Sequence, residues 1–230
     1  MNLTDFTLED GVYCQKNFSA GEFEQEYFSI RQKEGRILDD ETVRRLPLID
    51  TVEWNIRARS AGKLLQQLKK EKCASFIEVG CGNGWLTNYL QRELNIPAIG
   101  IDIVKAELKQ AVRISEGRAT FVYGNVFSLN DLKADAIILA ACIQYFPDPD
   151  QLIKRLNGTI HIIDSPIYET GKAADARERS IRYFSSQNAA AMARFYFHHE
   201  VIRDAEFLYR PSRLKTWLGG SPFPWLTIHR

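Results

Sequence analysis

Apolar residues follow two rhythms along this chain, and the rhythm changes near residue 73. Before that point the spacing is helical. DDETVRRL reads as a short helix that begins after Asp39 or Asp40 and is stopped by Pro47. Residues 51–70 read as a longer helix, with Ile56, Leu64, Leu65 and Leu68 on one face. Asp50 can cap it, with Glu53 as the capping-box partner, and Lys69 and Lys70 complement the dipole at its end. The rest of the first 50 residues is polar and aromatic by turns. After residue 73, short apolar runs without alternation take over: ASFIEVG, AIGIDI, ATFVYGN, DAIILAAC and TIHIIDS. Helical stretches separate several of them, among these WLTNYLQREL, KAELKQAVRI and DPDQLIKRL. Strands apolar on both faces that alternate with helices indicate a parallel sheet covered on both sides. Residues 73–165 are therefore expected to form a doubly wound α/β sheet. Beyond them, residues 172–197 read as helical. FLYRPS and FPWLTIH read as strands flanking a short helix, SRLKTWLGG, and are expected to pair antiparallel at the sheet edge.

Composition narrows the function classes. The 230 residues suit one large domain, or one domain with an extension, and 45% of them are hydrophobic, enough for a core. Thirty basic residues nearly cancel 29 acidic ones, so nothing advertises long-range attraction to nucleic acid or anionic lipid. Four scattered cysteines, Cys14, Cys73, Cys81 and Cys142, form no C-x-x-C pair. They suggest a reducing cytoplasm rather than a zinc site or disulfide framework, and no metal ligand set is expected. MNLTDFTLED carries acids and no apolar core, so it does not read as a signal peptide. No run reaches the ~18 apolar residues that a membrane helix needs.

The candidate chemistry centres on FIEVGCGNGWLT. Ligands of doubly wound sheets bind beyond the carboxyl ends of the strands, where strand order reverses. The first strand of the sheet ends at Val79, which places Gly80, Cys81, Gly82, Asn83 and Gly84 there. The spacing is G-x-G-x-G, distinct from the dinucleotide fingerprint G-x-G-x-x-G. No Lys-Ser/Thr follows, so this is not a phosphate-gripping loop. Glu78, inside the strand, would repel a pyrophosphate and suits a ligand carrying an amine or a positive charge. Asp102 stands 20 residues after Gly82, where a carboxylate accepts hydrogen bonds from ribose hydroxyls.

These residues carry a family resemblance. E-V-G-C-G-N-G, then Asp102, Y-G-N-V-F after the third strand and A-A-C-I-Q-Y-F-P-D-P after the fourth resemble class I S-adenosylmethionine-dependent methyltransferases. The resemblance is strong over residues 57–165 and weak in the tail. It implies a mostly parallel, seven-stranded, Rossmann-like sheet with S-adenosylmethionine as cofactor and S-adenosylhomocysteine as product. It also implies roles. Glu78 and the backbone of Gly80, Cys81, Gly82, Asn83 and Gly84 would contact the methionine part. Asp102 would hold the ribose, and Ile103 would pack on the adenine. Asn125, followed by Val126, would lie near the adenine amino group. Many members have Asp at that position, but Asn still offers a carbonyl acceptor. The loop from Ala141 to Tyr145 would sit near the sulfonium. E-W-N-I-R-A-R-S, F-Y-F-H-H and S-P-F-P-W are similar to a group of bacterial methyltransferases with no established acceptor.

The acceptor side is less determined. His198 and His199 follow an aromatic run, Phe195 to Phe197. They are candidates to line the acceptor pocket, one as general base, or else to close a helix whose dipole favours histidine. Tyr145 with Gln144 would orient the acceptor or simply pack a loop. Arg57, Arg59 and Lys63 would bind an anionic acceptor or form a solvated helix face. His161, inside a strand, reads as structural, and His229 as solvated. D-S-P-I-Y at Asp164 superficially resembles the D-P-P-Y element of amino-methylating enzymes. It follows the fifth strand rather than the fourth and lacks the second proline, so it reads as a strand end with a proline turn. The expected organisation is an N-terminal helical extension, 1–50, that serves as a substrate lid, and a methyltransferase domain, 51–230, with an acceptor-binding insertion at 166–205. The expected protein is a cytoplasmic monomer or homodimer that methylates a small molecule or biosynthetic intermediate, with no nucleic-acid or membrane partner. Two alternatives stand beside this: a nicotinamide-dependent oxidoreductase, and a non-catalytic S-adenosylmethionine-binding protein.

Overall fold

The computed structural model describes residues 4–217 and 219–230. Its frame is one nine-stranded sheet. Five strands come from the apolar runs: β3 (Phe76–Val79), β4 (Ala98–Asp102), β5 (Thr120–Tyr123), β6 (Lys133–Ala140) and β7 (Asn157–Ile163). They lie parallel in the order β5-β4-β3-β6-β7, so the direction of winding reverses between β3 and β6. The tail adds β8 (Glu206–Tyr209) and β9 (Trp225–Ile228), which pair antiparallel as expected. It is β9 that joins the sheet, antiparallel to β7, and β8 forms the edge.

The N-terminus corrects the expectation of seven strands and a purely helical extension. β1 (Phe6–Glu9) and β2 (Val12–Gln15) form a hairpin, and β2 continues the sheet in parallel with β5. Asp10 and Gly11 at the turn both have positive φ, 50° and 81°. A two-residue turn that matches strand twist needs this, and D-G supplies it. Helix α1 (Glu22–Lys33) follows the hairpin, then α2 (Asp40–Arg45), capped by Asp39, whose side chain accepts from the Thr42 amide.

Helix α3 (Val52–Lys70) begins one residue later than the capping-box reading requires. Thr51 is the cap and accepts from the Trp54 amide. Asp50 instead accepts from the Asn55 side chain, and Glu53 pairs with Arg36 and Arg57. Ala61, Leu64, Leu65 and Leu68 of α3 are buried with Leu86 and Leu90 of α4 (Trp85–Leu94) against Phe76, Ala136 and Ile138. The opposite side chains of the same strands, Ile77, Val79, Ile137 and Leu139, pack with Leu152 and Ile153 of α6 (Pro149–Arg155). Each buried leucine contributes about 1.5–3 kcal/mol, so the two layers hold the strand ends firmly. α5 (Lys105–Ser115) covers β5 and β2, while α7 (Ala173–Ser186) and α8 (Arg213–Trp217) lie in the tail. His161 is structural, as expected: it is fully buried, with Nε2 3.2 Å from Glu71 and Nδ1 accepting from Trp225. Among the described residues no helix is long and apolar enough to cross a membrane, and no cluster of metal-ligating side chains occurs.

Candidate active site

The strand order puts the loops after β3, β4, β5 and β6 around one opening at the carboxyl edge of the sheet. The glycine loop is built for close approach. Gly80 and Gly82 have φ of 74° and 52°. A Cβ on Gly80 would lie 2.6 Å from the Cys142 Cβ, and one on Gly82 would lie 2.8 Å from Glu107 Oε2. Only glycine takes both the conformation and the space. Gly84 turns the chain into α4 and is not among the residues lining either of the two cavities at this edge.

Two cavities meet here. The narrower, about 180 Å³, runs between the loops after β4 and β5 and is lined by Asp102, Ile103, Asn125 and Val126, with Phe23 and Phe127 closing it. The wider, about 870 Å³, takes in Glu78, Cys81, Asn83 and Gln144 and extends under α1 and α7. Tyr27, Gly80, Gly82, Ala141 and Tyr145 line both, so they form the junction. The Tyr145 ring stands there in edge contact with Phe23, Tyr27 and Tyr196, and burial pushes its phenol up to about 12. Tyr145 is therefore a neutral, fixed wall at neutral pH.

The carboxyl groups are unusual. Glu78 is 2% exposed and accepts from Thr87 Oγ1, yet burial raises it to about 8. Glu107, which the sequence reading passed over, is raised by burial and then by Asp102 to about 7, with Arg31 opposing the shift from 3.9 Å. Asp102 is also raised by burial, although it accepts from the amides of Gly82, Ile103 and Val104 at 2.7–2.9 Å. A carboxylate offers about four acceptor positions, so three bonds brace the loop and one position on Oδ2 is left. Burial also raises the thiols of Cys81 and Cys142 well up, which makes them inert packing groups.

The hairpin reaches this site as well. Gln15, from β2, accepts through Oε1 from the Asn125 amide at 3.0 Å. Asn125 Oδ1 in turn accepts from the Phe127 amide. The adenine-side loop is thus held by a residue more than a hundred positions away. Glu24 does similar work for α1, accepting from the Lys105 amide at the start of α5 at 2.6 Å.

The structure does not bring the two histidines into the cavity wall. His198 lies behind it, between the rings of Tyr168 and Tyr196, with Nε2 2.9 Å from Ser180 Oγ. His199 meets the backbone at Ile143 and Phe146, and its Nε2 is buried without a partner. Burial lowers both rings, which keeps them neutral. Of the aromatic run that suggested an acceptor role, Tyr196 lines the wall; with Tyr168 it screens His198 from the cavity. Residues that the reading missed take the lining instead: Tyr27, Ile30 and Arg31 on one face of α1, and Ala176, Ser180 and Phe184 at helical spacing on α7. Spacings of i, i+3, i+4 on α1 and i, i+4, i+8 on α7 were readable as helix faces. What they face is set by tertiary packing.

Known proteins agree with this architecture. Residues 77–160 match the model of a methyltransferase domain. Over 115 residues the chain is 25% identical to a malonyl-(acyl-carrier protein) O-methyltransferase of Bacteroides thetaiotaomicron, covering 47% of this chain. The chain spans only 44% of the length of that curated relative. A candidate sarcosine dimethylglycine methyltransferase from Galdieria sulphuraria superposes with a TM-score of 0.56 at 16% identity, covering 86% of this chain and 79% of that one. The plantazolicin methyltransferase BpumL, solved with S-adenosylhomocysteine and a monoazolic substrate analogue, superposes with a TM-score of 0.52 at 16% identity, covering 90% and 94%. At such identities the likeness is one of fold.

Proposed function

We propose that this class I methyltransferase fold moves a methyl group from S-adenosylmethionine to a small-molecule or biosynthetic-intermediate acceptor. The observation that carries the reading is the junction: a narrow apolar slot and a wide aromatic chamber open onto each other at Ala141 and Tyr145. The residues present fit the donor. Gly80, Cys81, Gly82 and Asn83 line the wide cavity with Glu78, and this stretch suits its methionine part. The open position on Asp102 Oδ2 suits a ribose hydroxyl, and the slot of Ile103, Val126 and Phe127 suits an adenine. When bound, the donor supplies a methyl group already activated by sulfonium charge. The chain's own contribution is to position and to exclude water. Tyr27 and Tyr145 narrow the opening, and α1 roofs it, tied down by Glu24.

The relatives are named for malonyl-(acyl-carrier protein), for sarcosine and dimethylglycine, and for plantazolicin, which differ chemically. They support the acceptor class and no single member of it. Cys14, Cys81 and Cys142 are buried free thiols, in keeping with a reducing, cytoplasmic setting. Titration calorimetry with S-adenosylmethionine, S-adenosylhomocysteine and NAD tests the donor. Both adenosyl ligands are expected to bind and NAD is not. Asp102→Ala should weaken both by about 1–3 kcal/mol. A folded protein that ignores both adenosyl ligands ends this reading.

A further inference from the structure

Two non-glycine residues with left-handed backbone sit side by side at the carboxyl edge of the sheet. Ala141, just past β6, has φ of 53°, and Asp164, just past β7, has φ of 50°. The Ala141 amide donates to the Ile163 carbonyl at 2.9 Å, so the two strand ends are locked in register. Non-glycine residues adopt this conformation uncommonly, at turns and helix ends and also at ligand sites. Ala141 lines both cavities, and Asp164 lines the wide one next to it.

The Asp164 carboxylate is half satisfied. Ser60 Oγ, from α3, donates to Oδ1 at 2.8 Å, and Ser221 Oγ lies 3.4 Å from the same oxygen. Both hydroxyls hold one oxygen, and the aspartate is 9% exposed. Oδ2 is left for the cavity. Burial raises this carboxyl, and the nearby Arg57, itself paired with Glu53 at 3.1 Å, opposes that shift only in part. On the same wall Gln144 is 6% exposed, and its Oε1 is buried without a donor while its Nε2 is spent on the Ala141 carbonyl at 2.7 Å. Gln144 Oε1 is closed off from the chamber, so the acceptor left facing it beside the junction is Asp164 Oδ2.

We propose that Asp164 is the acceptor-binding carboxylate of this site, and that the group it holds beside the junction is an amine nitrogen. An amine brings N–H donors to Oδ2 and, when protonated, a charge that offsets the burial of the carboxylate. A carboxylate acceptor would instead face Oδ2 with like charge, and its competing partners are Arg36, Arg57 and Arg179 elsewhere on the chamber wall. The inference rests on the methyl-transfer reading for what the amine is there to receive, but its test stands apart. Protein saturated with S-adenosylhomocysteine is titrated with phenethylamine and with 3-phenylpropanoate, matched probes for the aromatic chamber. The wild type should bind the amine at least tenfold more tightly than the carboxylate. Asp164→Asn, which tolerates the same backbone conformation, should lower the amine affinity at least tenfold and leave S-adenosylhomocysteine affinity within twofold. Unchanged amine affinity in the variant, no amine binding, or a preference for the carboxylate overturns the proposal. The wild-type comparison needs no variant to fold. If S-adenosylhomocysteine itself fails to bind, the donor reading has failed, and titration of the unliganded protein still reads Asp164.

Discussion

Glu78 should make the unliganded protein less stable than it could be. Its carboxyl is 2% exposed and raised from the ordinary 4.5 to about 8, with burial the dominant cause. The folded state therefore holds a proton that the unfolded chain releases near pH 4.5. Between those two values the folded state binds more protons, so stability falls as pH rises through the window and levels off above about pH 8. At pH 7 the accumulated cost is about 3 kcal/mol, at 1.36 kcal/mol per pH unit. Glu78→Gln keeps the shape and an oxygen to accept from Thr87 and removes the titration. The variant should match the wild type near pH 4.5. It should gain roughly 3 kcal/mol by pH 7, read as a midpoint about 6–12 °C higher in thermal unfolding. The same variant should bind S-adenosylmethionine about 10–100-fold more weakly above pH 8, because a charge-assisted hydrogen bond is worth about 1.5–3 kcal/mol. A stability gap that does not change with pH would refute the assignment of the raised proton to Glu78. Equal donor affinity would refute its role beside the cation.

Two further outcomes follow from the same geometry. Gly82→Ala puts a Cβ at positive φ and within 2.8 Å of Glu107 Oε2. It should cost about 1 kcal/mol or more of stability and abolish donor binding, measured by denaturant titration and calorimetry on the same preparation. His199→Ala should leave turnover within a few-fold and its pH profile unmoved once an acceptor is in hand, because the ring lies outside the cavity wall; a drop of a hundredfold, or a lost pH limb, would restore it as a base.

The parts of this fold that were legible in the sequence are those whose signals are local. β3 to β7 are buried on both faces, so each reads as an unbroken apolar run, and WLTNYLQREL became α4 residue for residue. The hairpin was harder. Three of the four residues of β1 are exposed, so burial leaves no alternating pattern there, and only D-G at the turn signalled it. The site divides the same way. Its donor side comes from consecutive residues after four strands, whose spacing is fixed by the sheet. Its acceptor side comes from α1, α3, α7 and the end of β7, which are brought together by packing across more than a hundred residues. Aromatic neighbours made the histidines conspicuous, but which face of the 195–199 stretch turns inward depends on Tyr145 and Phe184, to which Tyr196 packs.

The carboxyl groups connect the two halves. Glu78, Asp102, Glu107 and Asp164 all line the joined cavities, and burial raises every one of them. Arg31 and Arg57 oppose the shift at Glu107 and Asp164 without abolishing it, and no cation opposes it at Glu78. Arg36 and Arg179 line the wide chamber as well, so the site carries charges of both signs, and its buried acids make it less stable than one with neutral side chains there. It is suited to a ligand that brings positive charge with it, as a sulfonium with its ammonium does on one side of the junction and an amine does on the other. Ala141 and Asp164, both left-handed, end the neighbouring strands β6 and β7, and Tyr145 stands between the chambers as a neutral wall. The geometry argues most directly: Asp102 Oδ2 in the slot and Asp164 Oδ2 in the chamber each keep an acceptor position open, so a donor group is wanted on both sides of Tyr145.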